Sequence, residues 1–367
     1  MSYKKWIQPK PLLSTISHFP KWLLLIAALI MGITIFYVWE GRDWVLQILE
    51  GDISSWQTEV IQFLYPRFSV EIQRLSKDFF LQKADQLVLR INALSFLGLL
   101  FFALYRSSIY KVKISAFWDK QASVSGTKYL VRLFYTGIFL FTKDWLSFLL
   151  DYNALTPFYK PFSFNALLQI PFPSANILYI LWSAYAVSIV CVALWIKPLW
   201  FSIIASSIFI FLQSFLYSFE KINHAFATTS YAIIICPILV YYSIKAEKHG
   251  KVFQEAWAIV LIKLAVGIAY FQSGLEKAMN SGFNWFQNDF LLQTNISIGF
   301  FNNSLPLLVM GFQMSFILFT WKTPWQWIFL IGGVVFHFST VWFINVGAFL
   351  NPWIFMYIFW IIKLKNH

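Results

Sequence analysis

Residues 174–219 read SANILYILWSAYAVSIVCVALWIKPLWFSIIASSIFIFLQSFLYSF, and Lys197 is the single charged residue among them. The apolar runs on either side of Lys197 each exceed about 18 residues, which lets a helix cross a hydrocarbon core of about 30 Å. A backbone in lipid must satisfy its hydrogen bonds internally, and a helix does so. This stretch therefore predicts two membrane-spanning helices joined at Lys197.

The rest of the chain has the same character. Of its 367 residues, 59% are hydrophobic, 12% are charged and 41 are Phe, whereas about 25% of residues are charged in soluble proteins. We predict an all-α polytopic membrane bundle of about ten transmembrane helices. The predicted spans are residues 22–39, 91–108, 129–150, 174–196, 198–219, 227–244, 255–274, 305–322, 325–345 and 350–364.

The basic residues fall in alternate connections between these spans. Examples are Lys111 and Lys113 after the second span and Lys245 and Lys248 after the sixth. Because lysine and arginine mark cytoplasmic loops, this distribution predicts that both termini are cytoplasmic. It also accounts for the net charge of +12 without a nucleic-acid partner.

The segment 40–90 is long, mixed in charge and predicted to lie outside. Apolar residues such as Val60, Ile61 and Leu64 recur there at helical spacing, which is typical of helices lying at a membrane interface. A capping subdomain or a partner-docking surface fits the same pattern. We predict two domains: 1–128, anchor helices with this outer amphipathic segment, and 129–367, the membrane core.

A first polar group follows the span 198–219. If the helix continues, Glu220 and His224 share a face, and Lys221 neighbours His224. Burial disfavours the charged form of a lysine, which would let Lys221 act as a base. Alternatively, Lys221 and His224 only extend to the lipid headgroups.

A second group is Tyr270-Phe271-Gln272-Ser273-Gly274-Leu275-Glu276-Lys277. Amides and hydroxyls inside a span need hydrogen-bond partners, so Gln272 and Ser273 are candidates for lining a cavity. Gly274 fits either a cavity wall or close packing against a neighbouring helix. Glu276 and Lys277 are predicted to mark the aqueous boundary.

A third group starts with Phe336-His337-Phe338-Ser339-Thr340. In a helix, His337 and Asn345 lie on one stripe, about 12 Å apart along the axis. Ionisable side chains at membrane depth are costly and usually serve a ligand, an ion or a cofactor. The alternative is a hydrogen bond that only holds two helices together.

Several types of site are disfavoured. The chain has no phosphate-binding glycine loop, HExxH or CxxC motif. It has five histidines, of which His18, His249 and His367 fall in predicted cytoplasmic segments. We therefore expect no metal centre.

Taken in order, these groups resemble the membrane core of the vitamin K-dependent gamma-carboxylase-like family, whose bacterial members are called horizontally transferred transmembrane (HTTM) proteins. The resemblance covers about residues 129–363. The segments that carry it are Arg132, Asp151-Tyr152 with Pro157, Lys221 with Asn223-His224, Tyr270–Lys277, and Phe336-His337 with Asn345-Val346-Gly347-Ala348-Phe349.

This resemblance implies an enzyme of the bacterial inner membrane, with its site at the periplasmic face. In the carboxylase, a lysine deprotonates a reduced quinone, oxygen addition gives a strongly basic alkoxide, and this base takes a proton from a peptide glutamate before carbon dioxide adds. A membrane cavity shields such a base from water. The implied cofactor is a quinol, and the implied substrate is a peptide, a lipoprotein or a lipid.

The resemblance also implies roles for residues. Lys221 would be the base, with Glu220 and His224 tuning its basicity. The quinol headgroup or an oxyanion would be bound by His337 and Asn345, and the cavity would be lined by Gln272 and Gly274.

A non-enzymatic membrane subunit is the alternative. Such a subunit would assist the export, maturation or immunity of a secreted peptide or lipoprotein, and the segment 40–90 would then contact a partner protein. A transporter is disfavoured because the sequence shows no inverted repeat or paired broken helices.

Overall fold

The computed structural model describes residues 21–51, 68, 72–106, 118–162, 164–219, 226–281, 299–320, 325–344 and 351–366. Within these ranges the chain is mostly helical, as the sequence predicts. Two compact units can be distinguished: Met1–Trp118 with Lys160–Phe162 and Ala166–Gln169, and Asp119–Tyr159 with Ser163–Asn165 and Ile170–His367.

The first unit contains helices α1 (Lys21–Phe36), α2 (Arg42–Glu50) and α3 (Lys77–Arg106), with a π-helical turn (Tyr37–Gly41) between α1 and α2. Gly51 ends α2 in a left-handed conformation, with φ of 86°, and its N–H donates to the carbonyl of Ile48. Glycine accepts this conformation at little steric cost.

Helix α3 packs against the other helices of the first unit. A small apolar core is formed by Leu49 of α2 with Phe80 and Leu81 of α3. Polar contacts continue along α3, where the Tyr37 hydroxyl donates to Asp85 Oδ1 at 2.8 Å. The part of the predicted outer segment that the structure describes is therefore helical.

Apart from Ala166 and Leu167 at the end of the helix Phe164–Leu167, which are grouped with the first unit, the second unit contains the remaining elements. They are β1 (Lys120–Ser123), α4 (Val124–Thr142), α5 (Trp145–Asp151), a 3₁₀ helix (Tyr152–Phe158), α6 (Phe164–Leu167), α7 (Ala175–Ala193), α8 (Pro198–Tyr217), α9 (Ala227–Lys248), β2 (Phe253–Glu255), α10 (Trp257–Ser281), α11 (Gly299–Phe319), α12 (Trp325–Ile344), α13 (Pro352–Phe355), a second 3₁₀ helix (Met356–Trp360) and β3 (Lys365–Asn366).

Local sequence accounts for several of these boundaries. The Ser123 hydroxyl accepts a hydrogen bond from the Gly126 N–H and caps α4. Lys197 adopts a left-handed φ of 38°. Pro198 follows at the first helical position of α8, where its missing N–H removes no helical hydrogen bond.

Within the described ranges, five helices are long and apolar enough to cross a membrane. This finding agrees with the predicted membrane bundle, while the count of ten spans and the orientation of the termini stay predictions. The five are Val124–Phe158, Ala175–Ala193, Pro198–Tyr217, Ala227–Lys248 and Trp257–Ala278, and two shorter apolar helices are Leu307–Phe319 and Trp325–Ser339.

A small antiparallel sheet lies at one end of the second unit, with β1 between β2 and β3. Gln121 pairs with Glu255, and Lys120 pairs with Asn366. Helices α4 and α10 both start at this sheet, and the chain returns to it after the second 3₁₀ helix. We refer to it as the sheet end of the unit.

Cations and tryptophan meet at the sheet end. Lys128 Nζ lies 2.9 Å from Glu247 Oε1 and 4.9 Å from the ring centroid of Trp195. The Arg132 guanidinium also lies over Trp195, at 5.6 Å. Basic residues beside tryptophan are typical of a membrane–water interface.

Candidate functional site

Three polar side chains meet among the apolar helices of the second unit. The Tyr270 hydroxyl of α10 lies 2.7 Å from Nε2 of His337 on α12 and 2.5 Å from the Tyr357 hydroxyl in the second 3₁₀ helix. Tyr270 is 1% exposed and Tyr357 8%. We call these three residues the tyrosine–histidine cluster.

Local structure around Asn351 places Tyr357 beside Tyr270. Asn351 caps α13 by accepting a hydrogen bond from the Trp353 N–H, and Pro352 takes the first helical position. The short helix then carries Tyr357 back to Tyr270. A Cβ atom on Gly333 would overlap the Tyr357 hydroxyl, so only glycine leaves it room.

Aromatic rings surround the cluster. Phe316 of α11 stacks on the Tyr270 ring with centroids 4.2 Å apart. Trp353 meets the Tyr270 ring edge-on, with centroids 4.9 Å apart, and its ring lies 6.2 Å from that of His337. The hydrogen bond between Tyr270 and Tyr357 is buried, and a low local dielectric strengthens it electrostatically.

The cluster has the connectivity of a short proton relay. The Tyr270 hydroxyl can donate to His337 while accepting from Tyr357, or donate to Tyr357 while accepting from His337. If both protons move along their hydrogen bonds from Tyr357 towards His337, Tyr357 becomes a phenolate and His337 an imidazolium. The cluster can therefore pass a proton on only if Tyr357 receives one from a bound group and His337 gives one up.

A lysine lies two helical turns further along the same face of α10. Lys277 is seven residues beyond Tyr270, about 10 Å along the helix axis. Its Nζ donates to Gln313 Oε1 and to the Ser273 hydroxyl, each at 3.0 Å. The described part of the site thus combines a proton relay with a half-buried cation in an aromatic setting.

Close contact between α10 and α11 holds Lys277 against Gln313. A Cβ atom on Gly267 would lie 3.3 Å from the Cα of Ile317, and one on Gly274 would lie 3.1 Å from the backbone nitrogen of Met314. Because these contacts are with backbone atoms of α11, a side-chain rotation cannot relieve them. The two glycines therefore set the spacing of the helices, as small residues do in membrane bundles.

Gln313→Leu is expected to lower the free energy of unfolding by about 1–2 kcal/mol, because a leucine cannot accept the Lys277 hydrogen bond at this buried position. The measurement is the loss of helical circular dichroism during denaturant titration in detergent. Gln272→Leu is the matched control, since Gln272 is exposed on α10, and its effect should stay below about 0.5 kcal/mol. Equal effects of the two substitutions would contradict this assignment.

The structure describes three of the seven site residues predicted from sequence. His337 belongs to the tyrosine–histidine cluster, and Gly274 is buried against α11. Gln272 is exposed on the side of α10 opposite Tyr270, so the structure does not bring it to the cluster. The other four predicted residues lie outside the described ranges: Glu220, Lys221, His224 and Asn345.

Sequence reasoning missed Tyr270, Tyr357 and Gln313 as site residues. A usable signal was present for each of them, because a hydroxyl or an amide inside an apolar helix needs a partner. Lys277 was predicted only to mark the aqueous boundary. In the structure its side chain turns into the interface between α10 and α11.

Among the residues that the structure describes, no three His, Cys, Asp or Glu side chains lie close enough together to hold a metal ion. The chain matches no protein-family model, no curated protein and no solved structure. Inference about its function therefore starts from the geometry of the site and from the sequence resemblance.

Proposed function

We propose that the chain is an enzyme of the bacterial inner membrane that holds a quinol at the tyrosine–histidine cluster and modifies a peptide or lipid at the periplasmic face. The observation that carries the proposal is the phenol–imidazole–phenol hydrogen-bonded chain inside an apolar bundle. The resemblance to the gamma-carboxylase-like family supports the same chemistry.

The donor set fits a hydroquinone. A phenol and an imidazole can each donate or accept a hydrogen bond, as a hydroquinone hydroxyl requires. The Trp353 ring, half-buried beside His337, supplies a flat apolar surface suited to an aromatic headgroup. A quinol supplies reducing electrons and an acidic hydroxyl, and the relay through Tyr270 would accept or return its proton.

We assign the remaining roles from the resemblance. Lys221 is proposed as the base, with Glu220 and His224 beside it, and Asn345 as a second ligand of the headgroup. Lys277 is proposed to stabilise negative charge near the headgroup, since its half-buried ammonium is held in place by hydrogen bonds to Ser273 and Gln313. A compact cation in a region of low dielectric stabilises an anion more strongly than one in water.

We propose that the sheet end faces the cytoplasm. Its cations at Lys128 and Arg132 support this orientation through the positive-inside rule. Lys277 lies 20 residues beyond Trp257, about 30 Å along α10 from the sheet. In this orientation Lys277 lies near the periplasmic face. We propose further that both termini are cytoplasmic and that the bundle has ten spans.

The experiment is to purify wild-type protein, extract it with organic solvent and measure bound quinone by mass spectrometry, with added menaquinone as the probe. We expect His337→Ala to lower bound quinone about tenfold or more, because loss of a buried hydrogen bond costs at least about 1.4 kcal/mol in such a site. His249→Ala is the matched control, since His249 is exposed at the end of α9. Its quinone content should equal that of wild type.

Two outcomes would refute the quinol assignment. One is a wild-type protein that retains no menaquinone, and the other is equal retention by both histidine variants. The alternative is a non-enzymatic accessory subunit, favoured by exposed tryptophans in the first unit: Trp39 is 80% exposed and Trp44 40%. Under that alternative, His337→Ala leaves cellular function intact.

A further inference from the structure

A groove of about 420 Å³ lies at the sheet end of the second unit, and its described lining includes none of the three residues of the tyrosine–histidine cluster. One wall is a face of α4, where Gly126, Tyr129 and Leu133 follow at helical spacing. The other wall is the end of the second 3₁₀ helix, at Ile358, and the chain segment that follows it, including Ile361. The groove therefore runs between a candidate membrane-spanning helix and the segment leading to β3.

The walls of the groove are apolar and exposed. Tyr129 is 69% exposed, Ile361 65% and Leu133 38%. In water such a surface would be unfavourable, whereas beside lipid tails it is not. Tyrosine at the end of a spanning helix is typical of the headgroup level of a bilayer.

The mouth of the groove is basic. Lys363 and Lys365 both line it, and both side chains are exposed. Lys365 Nζ lies 4.4 Å from the ring centroid of Phe253, which fixes the ammonium above the groove wall. Among the described lining residues none is acidic, so the two ammonium groups make the mouth of the groove positively charged.

We propose that this groove binds an anionic diacyl phospholipid such as phosphatidylglycerol. The lysines contact the phosphate while an acyl chain follows Tyr129, Leu133 and Ile361 towards the membrane interior. Charge complementarity selects the occupant, because a zwitterionic headgroup places a cation beside the two lysines. Basic pockets at the ends of membrane helices bind anionic lipid headgroups for this reason.

The test is native mass spectrometry of the full-length protein in detergent, titrated separately with phosphatidylglycerol and phosphatidylcholine. Wild type should bind phosphatidylglycerol more tightly. The variant Lys363→Ala/Lys365→Ala should lose about tenfold or more of that preference, because each lysine near an anionic headgroup contributes about fivefold. Leu133→Trp should reduce binding of both lipids by filling the apolar wall.

A matched control is Lys248→Ala/Lys251→Ala, which removes the same charge from exposed positions at the same end but outside the groove lining. It should keep the wild-type preference. The proposal is overturned if wild type binds the two lipids equally, or if both double variants lose the preference equally. It is also overturned if Lys363→Ala/Lys365→Ala changes the abundance of a protein dimer and leaves the abundance of the lipid adduct unchanged.

Discussion

Gly274→Val is expected to lower the free energy of unfolding by about 3 kcal/mol, because the added side chain overpacks the contact between α10 and α11. A Cβ atom at residue 274 would lie 2.8 Å from Met314 Cγ, 3.1 Å from the Met314 backbone nitrogen and 3.1 Å from Gln313 Cβ. The Met314 side chain can move, but the backbone of α11 cannot do so alone. The two helices must therefore separate.

This separation has a second consequence. The hydrogen bond from Lys277 to Gln313 crosses the same interface, one turn from Gly274. Moving α11 outwards lengthens the bond and leaves a half-buried ammonium with fewer acceptors. We therefore expect Gly274→Val to destabilise the protein more than Gln313→Leu does, when both are measured by circular dichroism in the same detergent.

Gly311→Val is the matched control for Gly274→Val. Gly311 is exposed on α11, and within the described part of the chain an added Cβ atom there meets no atom closer than 4 Å. Its effect should stay within about 0.5 kcal/mol, as at other surface positions. If both glycine substitutions destabilise equally, helix propensity and not the contact between α10 and α11 sets the cost.

The long helices could be predicted from sequence because the lipid imposes a simple rule. Apolar runs must be helical to satisfy their backbone, so the predicted spans 174–196 and 198–219 correspond to α7 and α8 within a few residues. Lys197 marked the turn between them. The helix ends are less predictable. Helix α3, for example, starts at Lys77, well before the predicted span 91–108.

The sheet could not be predicted. Its strands contain four, three and two residues, too few for an alternating apolar pattern to stand out from noise. Their pairing is also distant in sequence, since Gln121 pairs with both Glu255 and Lys365. Only the folded bundle brings these segments to one end.

Of the three residues in the tyrosine–histidine cluster, only His337 could be predicted from sequence. His337 stands out because an imidazole in an apolar segment is costly and needs a reason. Its partner Tyr270 is 67 residues away, and Tyr357 is 87 residues from Tyr270. No periodicity connects residues at such separations, and only tertiary packing brings α10, α12 and the second 3₁₀ helix together at the cluster.

Tyr270→Phe is expected to remove the proton relay while keeping the shape of the site. The phenylalanine ring can still stack on Phe316, but the hydroxyl between His337 and Tyr357 is gone. Two buried polar groups then each lose a partner, so we expect the free energy of unfolding to fall by about 2 kcal/mol. If the proposed function holds, bound menaquinone falls about tenfold or more as well.

Tyr135→Phe separates these two effects. Tyr135 is also fully buried, and its hydroxyl lies 2.9 Å from the Ser206 hydroxyl and 3.2 Å from the Ser202 carbonyl. Its loss should cost a similar free energy of unfolding and leave menaquinone binding unchanged, because Tyr135 lies outside the tyrosine–histidine cluster.

The comparison of the two tyrosine variants is made by chemical denaturation and by menaquinone binding on the same preparations. A phenol that only holds two helices together affects the free energy of unfolding alone. A phenol that contributes to the quinol site affects both the free energy of unfolding and menaquinone binding. If Tyr270→Phe and Tyr135→Phe lower stability equally and neither changes menaquinone binding, the hydroxyl of Tyr270 serves only as an interhelical hydrogen-bond partner. The quinol would then have to be assigned to another part of the membrane core.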